Sequence, residues 1–306
     1  MRPLRVGTRG SPLALWQASA VASALAGRGI PSELVPIRTR GDHAPNVPLT
    51  AIGGKGVFVK EIHDALLGGA IDLAVHSAKD MAAVPPDRLT IAAVLPREDP
   101  CDALVLGAEP RMTPADLRAT SRPALIGTGS PRRIAQLRRI FPAARFEPIR
   151  GNVDTRLRKL DAGEADALVL ACAGLKRLGL AERITAAIPV TDCVPAPGQG
   201  IIAIEVRGDD RRTCALVGAL NDVSARVALA AEQSVVAELG GGCHLPLGAL
   251  ARIHGGELSI RTVVASLDGT AMIESVVSGD PDDPVEAGTR AARALASRGA
   301  RELLNS

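Results

Sequence analysis

The chain has 306 residues, 46% of them apolar and 23% charged, with a formal net charge of +3. This length exceeds one ordinary hydrophobic core and suits a globular protein of two or three domains. The weak net charge and the scarcity of aromatic side chains argue against a nucleic-acid partner, and the lack of an uninterrupted apolar run of about 18 residues argues against a membrane-spanning helix.

The cysteines predict a reducing compartment. There are five of them, scattered and without a CxxC pair, which argues against a disulfide framework and against a structural zinc site. The first residues enter strand-like sequence without an apolar signal region. We therefore expect a cytoplasmic protein with no membrane partner and no metal.

The first hundred residues alternate between strand-like and helix-like segments, which is typical of an α/β sheet with parallel strands. Strands are predicted at 4–8, 33–38 and 71–76, and helices at 11–28 and 57–67. Ser11 as N-cap and Pro12 at the first helical position mark the start of the first helix. A long loop rich in glycine occupies residues 39–56.

After a charged linker at 96–100 the alternation begins again. The predicted strands are 103–106, 124–127, one near Phe146, and 167–171, and the predicted helices start at Pro114 and cover 131–140 and 153–162. A second linker at 192–200 leads to a strand at 201–206, which we expect to cross back and join the first sheet. Two α/β lobes joined by two crossings are typical of two-lobed solute-binding proteins, which hold their ligand in the cleft.

The pattern changes from Asp222 to a helix, three strands at 248–252, 258–266 and 271–277, and a helix at 282–297. The predicted fold is therefore two periplasmic-binding-protein-like α/β lobes with a third, small α+β domain. We expect the first lobe to comprise 1–97 and 199–216, the second 98–198, and the third domain 217–306. The two linkers, at 96–100 and 193–200, are the expected hinges.

Two similar turns, at residues 7–12 and 127–131, each end a strand and cap a helix. A helix N-terminus presents unpaired N–H groups and binds anions readily, although an ordinary capped turn is the alternative interpretation. Arginines beside these turns favour anion binding, because guanidinium binds carboxylate and phosphate with two hydrogen bonds. Six arginines near strand ends predict a ligand with several carboxylates or phosphates: Arg9, Arg132, Arg133, Arg150, Arg156 and Arg177.

Two further stretches carry groups suited to chemistry. Asp80 follows Lys79 at the end of an apolar strand, where a carboxylate could carry a proton or stabilise a cation, although a solvated turn is the alternative. His76 is expected to be structural, because no second histidine stands at metal-ligand spacing. Cys243 follows three glycines, and this stretch alone favours a glycine helix stop followed by a buried cysteine.

Eight short motifs, in order along nearly the whole chain, resemble the hydroxymethylbilane synthase (porphobilinogen deaminase) family. They are TRGSPLALWQ at 8–17, TRGD at 39–42, GGKGVF at 53–58, VHSAKD at 75–80, RGNV at 150–153, AGLKRLG at 173–179, PGQG at 197–200 and GGGC at 240–243. Three residues, Met81 to Ala83, separate the VHSAKD motif from Val84-Pro85, and Gly129 replaces a serine that is common in the family.

The resemblance implies a transferase of tetrapyrrole biosynthesis, the route to heme. Enzymes of this family condense four porphobilinogen molecules head to tail with release of ammonia, then hydrolyse the product to the linear hydroxymethylbilane. One dipyrromethane cofactor per chain is held by a thioether, here to Cys243. The small-molecule substrate is porphobilinogen, no nucleic-acid or membrane partner is expected, and the chain should be a monomer.

The resemblance also assigns roles to individual residues. Asp80 is the catalytic carboxylate, which contacts pyrrole N–H groups, assists proton transfers and stabilises the azafulvenium-like cation formed when ammonia leaves. The expected cofactor-binding residues are Cys243, Lys79, Asp80, Ser130, Arg132, Arg133 and Arg156. The expected substrate-binding residues are Arg9, Ser11, Lys55, Phe58, Arg150, Arg156, Arg177 and Gln199.

A non-catalytic two-lobed protein that binds a solute or effector is the alternative hypothesis. It explains the two lobes and the arginines. It explains neither Cys243 nor the third domain, and such a protein usually carries a signal peptide or a DNA-binding segment.

Overall fold

The computed structural model describes residues 2–39, 59–110, 112–119, 123–240 and 245–305, and these residues form three sheets with helices packed on them. The strands are β1 Leu4–Arg9, β2 Ser32–Ile37, β3 Leu73–Ser77, β4 Leu89–Val94, β5 Asp102–Leu106, β6 Leu125–Gly127, β7 Arg145–Glu147, β8 Ala167–Ala171, β9 Ala186–Ile188, β10 Ile202–Arg207, β11 Leu247–His254, β12 Glu257–Ala265 and β13 Met272–Gly279. The helices are α1 Pro12–Ala26, α2 Lys60–Leu67, α3 Pro114–Arg118, α4 Pro131–Leu137, α5 Val153–Asp161, α6 Cys172–Arg177, α7 Arg211–Gly218, α8 Val223–Glu238, α9 Pro284–Ala296 and α10 Ala300–Asn305.

The first lobe is built on a five-stranded sheet in the order β2-β1-β3-β10-β4. Strand β1 pairs in parallel with β2 and β3, as the alternating pattern predicts. The predicted return of the chain is confirmed, because β10 inserts between β3 and β4. The prediction of a wholly parallel sheet is wrong, because β10 runs antiparallel to both of its neighbours. The reason is that β10 enters this sheet from the second lobe, in the opposite direction.

The second lobe repeats this arrangement with the order β7-β6-β8-β5-β9. Strands β6, β7 and β8 are parallel, and β5 runs antiparallel to β8 and β9. In each lobe the antiparallel strand is the first one after a crossing between lobes. Two lobes with equivalent strand order and two crossings confirm the predicted α/β fold class.

The two predicted βα turns have equivalent packing. Ser11 caps α1 by accepting a hydrogen bond from the N–H of Ala14, and Ser130 caps α4 in the same way from Arg133. A Cβ atom at Gly7 would collide with Ile71, and one at Gly127 would collide with Leu168. A side chain at either position would therefore have to displace a buried side chain of the same lobe.

The third domain is a meander of β11, β12 and β13, with antiparallel pairing throughout. Helices α8 and α9 pack against each other and against this sheet, and together they bury a core that includes Val235, Ile260 and Leu295. Five elements are additional to the sequence prediction: β4, β9, α6, α7 and α10.

Within the described residues, no single helix has the length and hydropathy of a membrane span. Helices α7 and α8 meet that test only as a pair, and they are bent by 116° relative to each other.

Candidate active site

A cleft between the two lobes contains two adjoining cavities. The larger encloses about 550 Å³, partly open to solvent, and its walls come from α1, the end of β3, α4, α5, α6 and the second crossing segment. The second encloses about 470 Å³ within the first lobe and shares Leu13, Gln17 and Ser77 with the larger one. The cleft lies at the carboxyl ends of β1, β3 and β8, where α/β sheets usually bind ligands.

Lys79 and Asp80 stand on a single 3₁₀ turn, Ala78–Asp80, that directly follows β3. Asp80 is exposed and lines the second cavity together with Arg9 and Ser11. Lys79 is half-buried and lines the larger cavity. Burial lowers the pKa of Lys79 to about 8, although the neighbouring Asp80 carboxylate acts in the opposite direction. The turn therefore directs one carboxylate and one destabilised cation into adjacent parts of the cleft.

Arg132 and Arg133, at the start of α4, share one buried carboxylate. Nη1 of Arg132 lies 2.8 Å from Oδ2 of Asp102, and Nη2 of Arg133 lies 2.7 Å from Oδ1. Although burial would raise the pKa of Asp102, the two guanidinium groups hold it far below its usual range. Arg132 also donates to the carbonyl of Val194 and lines neither cavity, whereas Arg133 lines the larger one.

Arg156 and Arg177 add two more guanidinium groups to the larger cavity. Burial lowers the pKa of each, and the nearby Arg133 lowers that of Arg156 further. Arg156 donates to the carbonyl of Gly151 at 2.8 Å, and Arg177 donates to that of Gly200 at 2.7 Å and lies over the Trp16 ring. A lowered arginine pKa means that the protein compensates these charges incompletely, so the cavity favours an anionic ligand.

Gln199 connects the second crossing segment to both lobes. Its Nε2 donates to the carbonyl of Pro100 at 2.7 Å and to Asp102 at 2.9 Å, and its Oε1 accepts from Nζ of Lys79 at 3.2 Å. The preceding Gly198 has φ +74° and packs so closely on the turn at Lys79 that a Cβ atom would lie 3.0 Å from the backbone there. The crossing segment therefore forms the floor of the cleft.

The structure brings most of the predicted site residues together. Asp80, Arg9 and Ser11 line one cavity, Lys79, Arg133, Arg156 and Arg177 line the other, and Gln199 lies below. Ser130 is the N-cap of α4, and Arg150 is near enough to Arg156 to lower its pKa. Lys55, Phe58 and Cys243 lie outside the described residues.

Sequence reasoning missed Asp102 and Gln17. Asp102 begins β5 and is fully buried. A single carboxylate at the start of an apolar strand indicates a buried charge, so this residue could have been found from the sequence. Gln17 is 2% exposed, donates to the hydroxyl of Ser77 at 2.9 Å and lines both cavities. Its position within an apolar helix gave little indication of this role.

The strand order and the cationic cleft define a two-lobed α/β protein whose lobes enclose a cavity lined by lysine and arginine side chains. Residues 4–215 match the family described as "Porphobilinogen deaminase, dipyromethane cofactor binding domain", and residues 227–297 match "Porphobilinogen deaminase, C-terminal domain". The chain belongs to the porphobilinogen deaminase family, as its motifs indicate.

Individual relatives are similar over almost their entire length. The porphobilinogen deaminase of Acidithiobacillus ferrooxidans is 46% identical over 98% of this chain and 97% of its own. The porphobilinogen deaminase of Roseiflexus sp. is 47% identical over 98% of both chains. Among solved structures, the periplasmic VFT2 domain of Bordetella pertussis BvgS is 21% identical over 76% of this chain and 92% of that chain, with a TM-score of 0.43. The strand order of the two sheets defines the fold of this chain.

Proposed function

We propose that this chain is a hydroxymethylbilane synthase, a transferase that joins four porphobilinogen molecules head to tail and hydrolyses the product to hydroxymethylbilane. Each condensation releases ammonia. Family membership over nearly the full length supports this function over a non-catalytic solute-binding protein. The observation that carries the proposal is the convergence of Asp80, Lys79 and four arginines on one cleft between the lobes.

The residues of the larger cavity fit a dipyrromethane cofactor. Lys79, Arg156 and Arg177 are cations whose pKa values burial lowers, so carboxylates beside them would relieve an unfavourable concentration of positive charge. When bound, the dipyrromethane supplies the chain end to which substrate is joined. Lys79, Asp80, Ser130, Arg133 and Arg156 would hold it, with Arg132 contributing through the network around Asp102.

Cys243 is the proposed point of attachment, through a thioether. It lies outside the described residues, three positions beyond Gly240, which has φ +69° and follows the end of α8. A glycine in this conformation ends a helix without strain. In sequence, the attachment point would thus follow α8 and precede β11 of the third domain.

Asp80 is the proposed catalytic residue. Its carboxylate would accept hydrogen bonds from pyrrole N–H groups and hold the substrate ring in the cavity that it shares with Arg9 and Ser11. As ammonia leaves, positive charge develops on that ring, and a fixed carboxylate stabilises such charge. The same carboxylate can take up and return a proton during bond formation.

The proposed substrate contacts are Arg9, Ser11, Arg150, Arg156, Arg177 and Gln199, together with Lys55 and Phe58 outside the described residues. Ser11 caps α1, so a substrate carboxylate beside it would also meet the positive end of that helix. Gln199 would act from below the cleft by holding Lys79.

We further propose the domain boundaries 1–97 with 199–216, 98–198 and 217–306, and a monomeric, cytoplasmic enzyme without nucleic-acid or membrane partners. Membership of β10 in the first sheet supports the discontinuous first lobe. The linkers at 96–100 and 193–200 would act as hinges as the bound chain grows.

The function is tested by incubating the purified protein with porphobilinogen and measuring released ammonia and hydroxymethylbilane. Four molecules of ammonia should appear for each linear tetrapyrrole. Saturable binding of porphobilinogen with neither product would instead support the solute-binding alternative. Denatured protein from the same preparation should exceed 31.5 kDa by the mass of one dipyrromethane.

A further inference from the structure

Three titratable side chains meet in the first lobe, behind the residues of the cleft. His63 lies on α2, His76 on β3 and Glu205 on β10. In the register of the sheet, Ala203 stands opposite His76, so Glu205 lies diagonally across from His76 on the same face. Helix α2 packs against β3 and β10 and brings His63 to the other two.

The three side chains are close and almost completely shielded from solvent. Oε2 of Glu205 lies 3.0 Å from Nε2 of His63 and 3.3 Å from Nε2 of His76. The side chains of His63, His76 and Glu205 are 16%, 4% and 0% exposed. The three candidate ligand atoms all lie within 4.8 Å of one another.

Although these distances are short, the polar atoms are not oriented for hydrogen bonding. Within the described part of the chain, both Nε2 atoms and both carboxylate oxygens lack a hydrogen bond of acceptable direction. Glu205 is completely buried, and both imidazole Nε2 atoms lie within 3.3 Å of the same carboxylate oxygen. Buried polar atoms without partners are costly, and an ion is one of the few species that satisfies several at once.

We propose that His63, His76 and Glu205 bind a divalent transition metal ion, with Zn²⁺ as the preferred ion. Two imidazole nitrogens and one carboxylate oxygen are a common zinc ligand set. Bonds of 2.0–2.1 Å in a tetrahedral site imply ligand atoms about 3.3 Å apart, which agrees with the two distances to Oε2. The ion would balance the carboxylate and engage both nitrogens.

With three protein ligands, the ion would have an open fourth position. His76 also lines the second cavity, so water can supply the remaining ligand from that side. The ion would connect α2 to His76 near the carboxyl end of β3, two positions before the turn Ala78–Asp80. It would therefore stabilise the strand end that presents the catalytic turn.

The spacing of the histidines along the chain does not indicate this site, so the sequence analysis predicted no metal. His63 and His76 stand 13 positions apart and Glu205 is 129 positions further on, which matches no short metal motif. Only the insertion of β10 beside β3 brings the carboxylate to the two imidazoles. The site depends on tertiary structure, and none of its three residues has a direct role in the proposed condensation chemistry.

The test uses untagged, cofactor-loaded protein that has been treated with a chelator and dialysed. We expect Co²⁺ to bind at one equivalent with the visible absorption of a four-coordinate site, and Zn²⁺ to displace it. His63→Gln should weaken the affinity by more than the roughly 10–100-fold that loss of an outer-shell partner costs, because it removes a direct ligand. His254→Gln is the matched control, because His254 is exposed at the end of β11. The Co²⁺ affinity of this variant should equal that of the wild type.

Circular dichroism establishes that each variant is folded, and His63 is the safest substitution because it is the most exposed of the three. Glu205→Gln provides a second variant and should lose binding to a similar extent. Binding of less than about one tenth of an equivalent by the wild type, or equal affinity in the wild type and His63→Gln, overturns the proposal. Loss of Co²⁺ binding in His254→Gln alone overturns it as well.

Discussion

Arg133 and Asp102 form a buried ion pair in which Nη2 and Nε of the guanidinium both contact Oδ1 of the carboxylate, at 2.7 and 3.0 Å. Arg132 takes the other oxygen, and Gln199 adds a further hydrogen bond. One carboxylate at the start of β5 thus orients two arginines of α4 and the glutamine of the crossing segment. It fixes the cationic wall of the cleft relative to its floor.

Asp102→Asn should destabilise the protein by about 3–5 kcal/mol, because it leaves two buried guanidinium groups without their counter-charge. Urea unfolding monitored by circular dichroism measures the free energy of unfolding. Asp161→Asn is the matched control, since Asp161 pairs with Arg183 in a partly exposed ion pair. Such a pair contributes about 0–1 kcal/mol. An equal decrease in the free energy of unfolding in both variants would show that Asp102 contributes no more to stability than an exposed ion pair.

Asp80→Asn should retain the fold and the cofactor but lower kcat by roughly 10²–10⁴-fold, because a neutral amide neither accepts a proton nor stabilises positive charge. Steady-state formation of hydroxymethylbilane from porphobilinogen gives kcat, and intact mass after denaturation reports the cofactor. The control is Asp87→Asn, an exposed carboxylate seven positions further along the chain. A near-normal kcat in Asp80→Asn would assign the proton transfer to another group.

The features that the sequence predicted well are local. Ser11 and Pro12 identified the start of α1, and the position of Lys79 and Asp80 after an apolar strand identified the edge of the sheet that carries the cleft. Those signals lie within a few residues of the structure that they determine. The direction of β10 could not be predicted from neighbouring residues, because it depends on the lobe from which the chain enters the sheet.

The same distinction applies to the site. Arginines at strand ends predicted a cationic cleft. The sequence pattern alone could not distinguish Arg133, which lines the cavity, from Arg132, which donates its hydrogen bonds to Asp102 and to the carbonyl of Val194. Their partners lie 30 or more positions away in sequence. The meeting of His63 with Glu205 is hidden for the same reason.

Cys243→Ser should give a folded protein that carries no dipyrromethane and has no turnover, because a hydroxyl is a much weaker nucleophile than a thiolate. Intact mass should equal that of the bare chain, and a pyrrole colour test on denatured protein should be negative. Cys214→Ser serves as control, since Cys214 is half-buried on α7 and its thiol contacts the carbonyl of Arg207. A cofactor-sized increase in the mass of Cys243→Ser would place the attachment elsewhere.

Lys79→Met should change the pH dependence of stability in a cofactor-free Cys243→Ser background. The pKa of Lys79 falls from 10.5 in the unfolded chain to about 8 in the folded protein, mainly through burial. The folded state therefore bears the cost of a buried charge below pH 8, and this cost disappears as the pH rises towards 10.5, because the unfolded state binds more protons in that window. Lys79→Met should be more stable than its parent below pH 8, by at most about 3 kcal/mol, and this advantage should shrink across the window.

Lys176→Met is the control for this experiment, because ion pairs with Asp99 and Glu98 raise the pKa of Lys176 instead. Its stabilising contribution is complete below pH 10.5 and is lost only above it, so the difference from the parent should stay constant between pH 8 and 10.5. Urea unfolding at intervals of half a pH unit measures both differences. A difference for Lys79→Met that stays constant from pH 7 to 10.5 would show that Lys79 titrates normally, and would remove the argument that the cleft requires carboxylates to neutralise it.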